Sequence, residues 1–112
     1  MTSYTLALLP GDGIGRDVML EAEKVLNLVE KLTPLSFESN KIPCGGQHYL
    51  DTGEEWPEGS FEFCRDEADA ILLGAVGWPG AVTESGDLAG GAVILGIRSG
   101  LDLYANVRPI RL

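Results

Sequence analysis

The sequence predicts an α/β fold in which a parallel sheet is covered by helices. Apolar runs over residues 4–9 and 70–76 and the alternating start of residues 35–42 are typical of strands. Between them, residues 16–32 have helical apolar spacing, and residues 57–60 suit the start of a short helix through Asp69. A chain in which strands and helices alternate builds a parallel sheet, because each helix returns the chain to the same end of the sheet. A glycine-rich turn joins the first strand to the first helix, as such a fold requires.

The first strand and helix are defined by a change in apolar spacing. Residues 4–9 form an apolar run that stops at Pro10, which is long enough for one buried strand. From Arg16 onward, apolar side chains recur at three- and four-residue spacing, which predicts an amphipathic helix through residue 32. The predicted apolar stripe consists of Val18, Ala22, Val25, Val29 and Leu32, with Met19 and Leu26 beside it. Pro34 ends the helix because its ring nitrogen carries no N–H for the ladder.

The middle of the chain predicts two further strands. Residues 35–42 begin with alternating apolar positions and predict a partly exposed strand, and the Gly-, Pro- and acid-rich residues 43–59 predict a loop. A short helix is predicted through Asp69. Residues 70–76 are the most apolar run of the chain, and such a run suits a strand buried on both faces. We therefore predict that this segment is the central strand, beside the first.

The last third of the chain predicts a loop, a helical turn and a strand. Glycine-rich residues 77–91 are loop-like, and residues 92–99 suit a helical turn. In residues 102–107, Leu103, Ala105 and Val107 alternate with polar positions, which predicts a fourth strand.

Composition excludes several function classes. The chain has 112 residues, enough for one domain, and its 17 acidic against 8 basic side chains give a net charge of −9. That charge argues against binding to nucleic acid and to anionic membranes, which both require Lys and Arg. Cys44 and Cys64 lack metal-ligand spacing and His48 is the single histidine, so neither a disulfide framework nor a zinc site is favoured. We expect a cytoplasmic protein with two reduced thiols.

The glycine turn at residues 10–16 allows three interpretations. A helix N-terminus behind a glycine turn suits an anion or a nucleotide. The dinucleotide fingerprint needs a third glycine where Arg16 stands, and we expect that side chain to obstruct close packing between helix and strand. From spacing alone, an ordinary Rossmann site, a merely tight turn and another cofactor geometry all remain open.

Two other features are candidates for ligand binding. Lys and Arg are absent between Asp66 and Ile97, after which Arg98 and Arg108 follow, and two guanidinium groups suit a dicarboxylate. The alternative is that both arginines are surface charges paired with nearby acids. The glycine-rich residues 74–80 follow a predicted strand, where α/β sheets bind ligands, or they form a surface connection with Trp78 folded over the core.

Together these segments resemble the decarboxylating 3-hydroxyacid dehydrogenases, the isocitrate/isopropylmalate dehydrogenase family. The similarity covers essentially the whole chain and is carried by four segments. They are L-L-P-G-D-G-I-G at residues 8–15, Gly45-Gly46, L-L-G-A-V-G at residues 72–77, and Ile97-Arg98 followed by L-Y-A-N-V-R-P at residues 103–109. The resemblance implies the N-terminal portion of the isopropylmalate dehydrogenase-like fold over residues 1–112, apparently truncated.

The resemblance also implies roles for individual residues. Arg98 and Arg108 match the arginines that bind the carboxylates of the malate skeleton, and Ile94 and Leu95 match the pair that lines the alkyl pocket of isopropylmalate enzymes. The segments implied to face the nicotinamide end of the cofactor contain Ile14, Gly77, Trp78, Pro79, Gly90 and Gly91. Gly91 departs from the family, because isopropylmalate enzymes usually carry an acid there.

The complete enzyme implied by the resemblance uses NAD and Mg²⁺ or Mn²⁺, and is a cytoplasmic homodimer. Its catalytic tyrosine and lysine and its metal-binding aspartates belong to segments that this sequence does not contain. We therefore expect no catalytic and no metal-binding residue within the 112 residues, and no tight cofactor binding by this chain alone. The favoured function is that of a 3-isopropylmalate dehydrogenase segment, completed by a longer reading frame or by a complementary chain. The alternatives are the tartrate/D-malate branch, indicated by Gly77-Trp78-Pro79, or a catalytically inactive dicarboxylate-binding or structural subunit.

Overall fold

The structure, a computed structural model, describes residues 2–112 as three strands, four α-helices and one π-helical turn. In chain order the elements are β1 (Thr2–Gly11), α1 (Ile14–Leu32), β2 (Leu35–Lys41), α2 (Gly46–Thr52), α3 (Ser60–Asp66), β3 (Ala70–Ala75), α4 (Gly91–Leu95) and the π-helical turn Gly96–Gly100. The alternation of strands and helices confirms the predicted α/β class.

The three strands form one parallel sheet in the order β2-β1-β3. Leu8 of β1 lies opposite Lys41 of β2 on one side and Leu72 of β3 on the other. The prediction that residues 70–76 are the central strand is therefore wrong, because β1 is central and β3 is an edge strand. Leu72 and Leu73 are more than a third exposed, so the described residues do not bury all of the apolar surface of β3.

The side chains of β1 alternate between two cores, one on each face of the sheet. Leu6 and Leu8 pack with Met19 of α1 on one face. Ala7 and Leu9 point to the other face, where they pack with residues from α3, α4 and the adjoining loops. The other buried members of this second core are Ile42, Cys44, Cys64, Val93 and Ile97. The sheet is thus covered by helices on both faces, as the parallel arrangement requires.

Only part of the predicted apolar side of α1 packs on the sheet. Met19 is buried and Ala22 and Leu26 pack against the same core. Val18 and Val25 are more than half exposed, and Leu32 more so. The helix carries apolar side chains on two sides, and spacing alone did not distinguish the side that meets the sheet.

Two further predictions are wrong. Residues 43–59 contain the helix α2, so they are not simply a loop. Asp102 lies in a turn and residues 103–112 form neither a strand nor a helix, so the predicted fourth strand over residues 102–107 is absent from the described chain. A strand is defined by hydrogen bonds to a neighbour, and the alternation of Leu103, Ala105 and Val107 supplies none. No helix within residues 2–112 has both the length and the apolar character needed to span a bilayer.

Candidate functional site

All three strands end at the same edge of the sheet. β1 ends at Gly11, β2 at Lys41 and β3 at Ala75. The loops that follow these strands lie side by side, because the strands are parallel and adjacent. Ligands of open α/β sheets bind beyond the carboxyl ends of the strands, so this edge is where the sequence-predicted site residues should gather.

Asp12 joins the three loops through its carboxylate. The side chain is buried, with 2% exposure. Its Oδ2 accepts hydrogen bonds from the backbone N–H groups of Gly46 and Gly77, both at 2.8 Å, and its Oδ1 accepts one from the N–H of Gln47 at 3.0 Å. We call these four residues the Asp12 cluster. It fixes the start of α2 and the loop after β3 to the turn between β1 and α1.

The Asp12 carboxylate is charged at neutral pH. Burial by itself raises the pKa of this carboxyl, but the N–H groups of Gly77, Gln47 and Gly46 and the nearby Arg16 charge stabilise the anion. The net pKa of Asp12 lies below its ordinary value of 3.8. A buried anion with three amide donors is a stable arrangement, since both carboxylate oxygens are paired.

Two glycines allow the close approaches on which this arrangement depends. A Cβ on Gly45, whose φ is 107°, would overlap the Asp12 carboxylate. A Cβ on Gly15 would overlap the backbone of Pro10 and Ala75, so α1 begins in direct contact with β3. The expectation that Arg16 obstructs this packing is wrong, because Gly15 makes the contact and the exposed Arg16 donates from Nε to the carbonyl of Gly11 at 3.2 Å.

A second carboxylate, that of Glu55, binds backbone N–H groups in a similar way. Its Oε1 accepts hydrogen bonds from the backbone N–H groups of Gly90 and of Ala92, the latter at 3.1 Å, at the beginning of α4. Its own carbonyl accepts a hydrogen bond from Gly45 at 2.8 Å. Glu55 therefore holds α4 against the loop that leads into α2, next to the Asp12 cluster.

Several of the predicted cofactor-facing residues lie at this edge. Gly77 belongs to the Asp12 cluster, and Gly90 is buried against Val76 and Gly45. The others continue from them along the chain: Ile14 is the exposed first residue of α1, Trp78 and Pro79 follow Gly77, and Gly91 begins α4. The structure thus brings the loop after β3 and the start of α4 to the glycine turn; cofactor contact by these residues remains a prediction.

The predicted substrate-binding residues occupy two segments. Ile94 is partly buried and Leu95 exposed in α4, and Arg98 is exposed in the π-helical turn that follows. Arg108 lies among the C-terminal residues, where its Nε donates to the side-chain oxygen of Asn106 at 3.2 Å. Ile94, Leu95 and Arg98 are therefore held close in one helical segment, and the convergence of Arg108 with them remains a prediction.

A cleft of about 460 Å³ lies beside the glycine turn, between α1 and the segment from β2 into α2. Its lining includes the basic side chains Arg16 and Lys41, together with His48 and Asp51. These charges are largely engaged within the chain: Lys41 pairs with Glu23 at 3.0 Å, and Arg16 bonds to Gly11. None of the residues predicted to bind substrate or cofactor lines this cleft.

The cysteines have no part in this geometry beyond packing. Both Cys44 and Cys64 are free and buried. Burial, together with the nearby Asp12 charge, raises the pKa of Cys44 to about 11, so its thiol is neutral at physiological pH. Within residues 2–112 no group of three His, Cys, Asp or Glu side chains is placed to hold a metal ion, so these residues by themselves do not fit one.

Asp12 and Glu55 were not among the residues predicted from sequence. Their partners are backbone N–H groups 34 to 65 residues away for Asp12 and 35 to 37 residues away for Glu55. One local signal does mark Asp12: it is a short acid inside a glycine turn, where the backbone on either side approaches other strands closely.

Comparison with known proteins gives a consistent result. The family model described as isocitrate/isopropylmalate dehydrogenase matches residues 5–112. The chain is 41% identical over 110 residues to a 3-isopropylmalate dehydrogenase of Desulfitobacterium hafniense (strain Y51), covering 96% of this chain and 30% of that protein. It is 46% identical over 109 residues to a 3-isopropylmalate dehydrogenase of Thermotoga maritima, covering 95% of this chain and 30% of that protein.

A solved structure shares the fold. The crystal structure of a beta-decarboxylating dehydrogenase from Thermococcus kodakarensis, in its apo form, superposes with a TM-score of 0.63 at 33% sequence identity. That similarity covers 90% of this chain and 27% of the other. The chain spans about 30% of the length of the curated relatives that it matches.

Proposed function

This chain belongs to the isocitrate/isopropylmalate dehydrogenase family, and on that premise we propose that it is the N-terminal segment of an NAD-dependent oxidative decarboxylase of malate-type 2-hydroxy dicarboxylates. The substrate we favour is 3-isopropylmalate. The observation that carries this proposal is the match over residues 5–112, together with relatives of 41% and 46% identity that bear the name 3-isopropylmalate dehydrogenase. The tartrate/D-malate alternative has no comparable support among them.

The proposed reaction has two steps. The hydroxyl-bearing carbon gives a hydride to NAD and the hydroxyl gives its proton to a base, which produces a 2-oxo acid. The bond from C3 to its carboxylate then breaks, CO₂ leaves, and the resulting enolate takes up a proton. Bound NAD supplies the hydride acceptor. The described residues form no metal-binding cluster, and we derive no metal-dependent step from this chain.

The chain's own contribution to this reaction is substrate binding and cofactor orientation. Arg98 and Arg108 each bind a carboxylate by two parallel hydrogen bonds, which places the malate skeleton. Ile94 and Leu95 contact the alkyl substituent at C3. This assignment is supported by the close spacing of Ile94, Leu95 and Arg98 in one helical segment, whose first residues Glu55 attaches next to the Asp12 cluster.

The cofactor side is formed by the loop after β3 and the start of α4. We assign Ile14, Gly77, Trp78, Pro79, Gly90 and Gly91 to the nicotinamide end of NAD. The support is that Gly77 and Gly90 lie at the carboxyl edge of the sheet, bound to Asp12 and Glu55 respectively. This is the edge at which α/β sheets bind their ligands.

The complete enzyme requires residues beyond those discussed here, including the hydroxyl base. We propose that they come from a longer reading frame or a complementary chain, and that the complete enzyme is a homodimer. By itself, the 112-residue chain is expected to form no NADH from any malate derivative in the presence of Mg²⁺ or Mn²⁺. NADH formation by the purified chain would contradict this division of roles.

The test of the function is an activity screen of the complete reading frame that contains this chain. NADH formation is followed with 3-isopropylmalate, D-malate, tartrate and isocitrate. The proposal expects 3-isopropylmalate to give the highest kcat/KM. Preference for D-malate or tartrate would move the assignment to that branch, and absence of activity with all four would favour a binding or structural subunit.

The arginine pair is tested in the same enzyme. Hydrogen bonds to a charged partner contribute about 1.5 to 3 kcal/mol each, so Arg98→Ala and Arg108→Ala should each raise KM for the dicarboxylate at least about tenfold. Arg108→Lys should also be costly, because an ammonium group lacks the two-pronged geometry. Arg111→Ala is the control, and an equal effect there would contradict the clamp.

A further inference from the structure

The Asp12 cluster connects the three loops that follow β1, β2 and β3. Asp12 lies between β1 and α1, Gly46 and Gln47 begin α2, and Gly77 follows β3. One buried carboxylate accepts a hydrogen bond from each of these three backbone amides. The main-chain N–H of Asp12 also donates to the carbonyl of Ala75 at 2.6 Å, which gives the loop after β3 a second link to the same residue.

The geometry requires a carboxylate and no larger or neutral group. Oδ2 accepts from two amides and Oδ1 from one, so an asparagine would always turn its NH₂ group toward at least one N–H. A longer acid would not fit without displacement, because Gly45 already lies so close that its own Cβ would overlap the carboxylate. The side chain is therefore selected for its two acceptor oxygens and for its length.

We propose that Asp12 is the positioning residue of the cofactor side: its carboxylate holds Gly77, and with it the loop through Pro79, at a fixed distance from the first residues of α1. This proposal rests on the proposed function, because it assumes that this loop contacts the nicotinamide end of NAD. Asp12 itself touches no reacting atom. Its partners are exclusively backbone amides, so it acts by placing the loop, while substrate carboxylates are bound elsewhere, by Arg98 and Arg108.

A positioning role of this kind predicts a selective kinetic effect. In the complete enzyme, Asp12→Ala should raise KM for NAD at least about tenfold, because removal of both carboxylate oxygens releases the N–H of Gly77 and with it the loop after β3. KM for the dicarboxylate should change less than about threefold, because α4 and Arg98 are attached through Glu55 instead. Asp17→Ala is the matched control: it removes the same carboxylate from an exposed side chain in the first turn of α1.

A second measurement needs no activity and uses the 112-residue chain. Amide hydrogen exchange should accelerate at Gly46, Gln47 and Gly77 together in Asp12→Ala, and remain unchanged in Asp17→Ala. If Asp12→Ala does not fold, the hydrogen bonds can still be tested in the unsubstituted chain, because scalar couplings across them should link these three amides to the Asp12 carboxyl carbon. Absence of the couplings, or exchange unchanged by Asp12→Ala, would overturn the proposal.

The kinetic and amide measurements separate two kinds of failure. If the amides are released but KM for NAD equals that of the Asp17→Ala control, the positioning role is wrong while the dehydrogenase assignment stands. If the unsubstituted complete enzyme is inactive with all four substrates, the proposed function fails and the positioning role fails with it. In that event, coupling of the three amides to Asp12 would still establish the attachment as structural.

Discussion

The N-terminal end of α1 and its outer side differ in how closely the rest of the described chain packs against them. At its N-terminus, Gly15 is buried against Ala75 and the neighbouring Asp12 has every carboxylate oxygen paired. Along its outer side, Val25 is 60% exposed and Leu32 is 74% exposed, with no partner among residues 2–112. The N-terminal end of α1 therefore has its contacts within residues 2–112, whereas the outer side of α1 contributes little to stability. Substitutions at the two places should differ accordingly.

The largest effect is expected at the contact between α1 and β3. Gly15→Ala places a Cβ onto the backbone of Pro10 and Ala75, and backbone atoms cannot move aside cheaply. We expect it to lower the free energy of unfolding by at least about 4 kcal/mol, as only direct conflicts inside a packed core do. Gly96→Ala is the matched control, because a Cβ there meets nothing within 4 Å. Chemical denaturation of both variants measures the difference, and equal midpoints would contradict the close approach.

The second effect is pH-dependent and belongs to Asp12. Because the pKa of Asp12 in the folded chain is below its ordinary value of 3.8, its carboxylate stabilises the fold above pH 3.8, and this stabilisation is lost as the pH falls through the lowered value. At pH 7, Asp12→Asn should lower the free energy of unfolding by about 3 kcal/mol, since at least one buried amide faces a donor. The difference from the unsubstituted chain should shrink progressively in denaturation curves recorded as the pH is lowered from 3.8 through the lowered pKa of Asp12. A difference independent of pH would show that the charge is not the cause.

A third, smaller effect compares the inner and outer sides of α1 directly. Met19 is 2% exposed and packs against Leu6 and Leu8, so Met19→Ala should cost about 2 kcal/mol of unfolding free energy. Val25→Ala should change stability by less than about 0.5 kcal/mol, because alanine's higher helix propensity offsets the little packing that is lost. If Val25→Ala were as destabilising as Met19→Ala in thermal unfolding, the outer side of α1 would be covered in solution.

The smallest effect is expected at an ion pair on the outer surface of α1. Lys24 and Glu21 are linked at 2.8 Å, but both side chains are about 70% exposed. Exposed pairs of this spacing contribute about 0.3 to 0.5 kcal/mol and are screened by salt. Lys24→Ala should therefore lower the midpoint of thermal unfolding only slightly, and this difference should vanish in 1 M NaCl. A larger, salt-independent loss would mean that Lys24 has another partner.

Much of the fold follows from local sequence patterns. The three strands and the helices α1 and α3 were predicted near their observed positions, because each is marked by apolar spacing or by Pro and Gly at its ends. Helix α2 was not predicted because it is only seven residues long and lies within a segment rich in Gly, Pro and acidic residues. Its first amides bind Asp12, which lies 34 and 35 residues earlier in the chain. Such a helix is stabilised by a tertiary contact that no local window contains.

The other errors concern which surfaces meet. The apolar character of β3 correctly predicts a strand, but strand order depends on pairing between distant segments, so its place at the edge was not visible. Likewise, the apolar spacing of α1 predicts a helix, but the helix has apolar residues on two sides. The spacing therefore does not indicate which side packs against the sheet. Of the candidate site, the glycine-rich segments were predicted from motif and family resemblance, while Asp12 and Glu55 were missed because their partners are main-chain amides, which every residue other than proline possesses.

The central position of β1 has a consequence for the order of events during synthesis. β1 is translated first, but its neighbour β3 begins 64 positions after the paired residue Leu6, at Ala70. At roughly 5 to 20 residues per second, translation leaves one side of this apolar strand without its partner for about 3 to 13 seconds. The pairing of Thr2 with Leu35 is available after half that interval. We therefore expect β1, α1 and β2 to associate before β3 is available, so that β3 docks onto a strand that is already paired on one side.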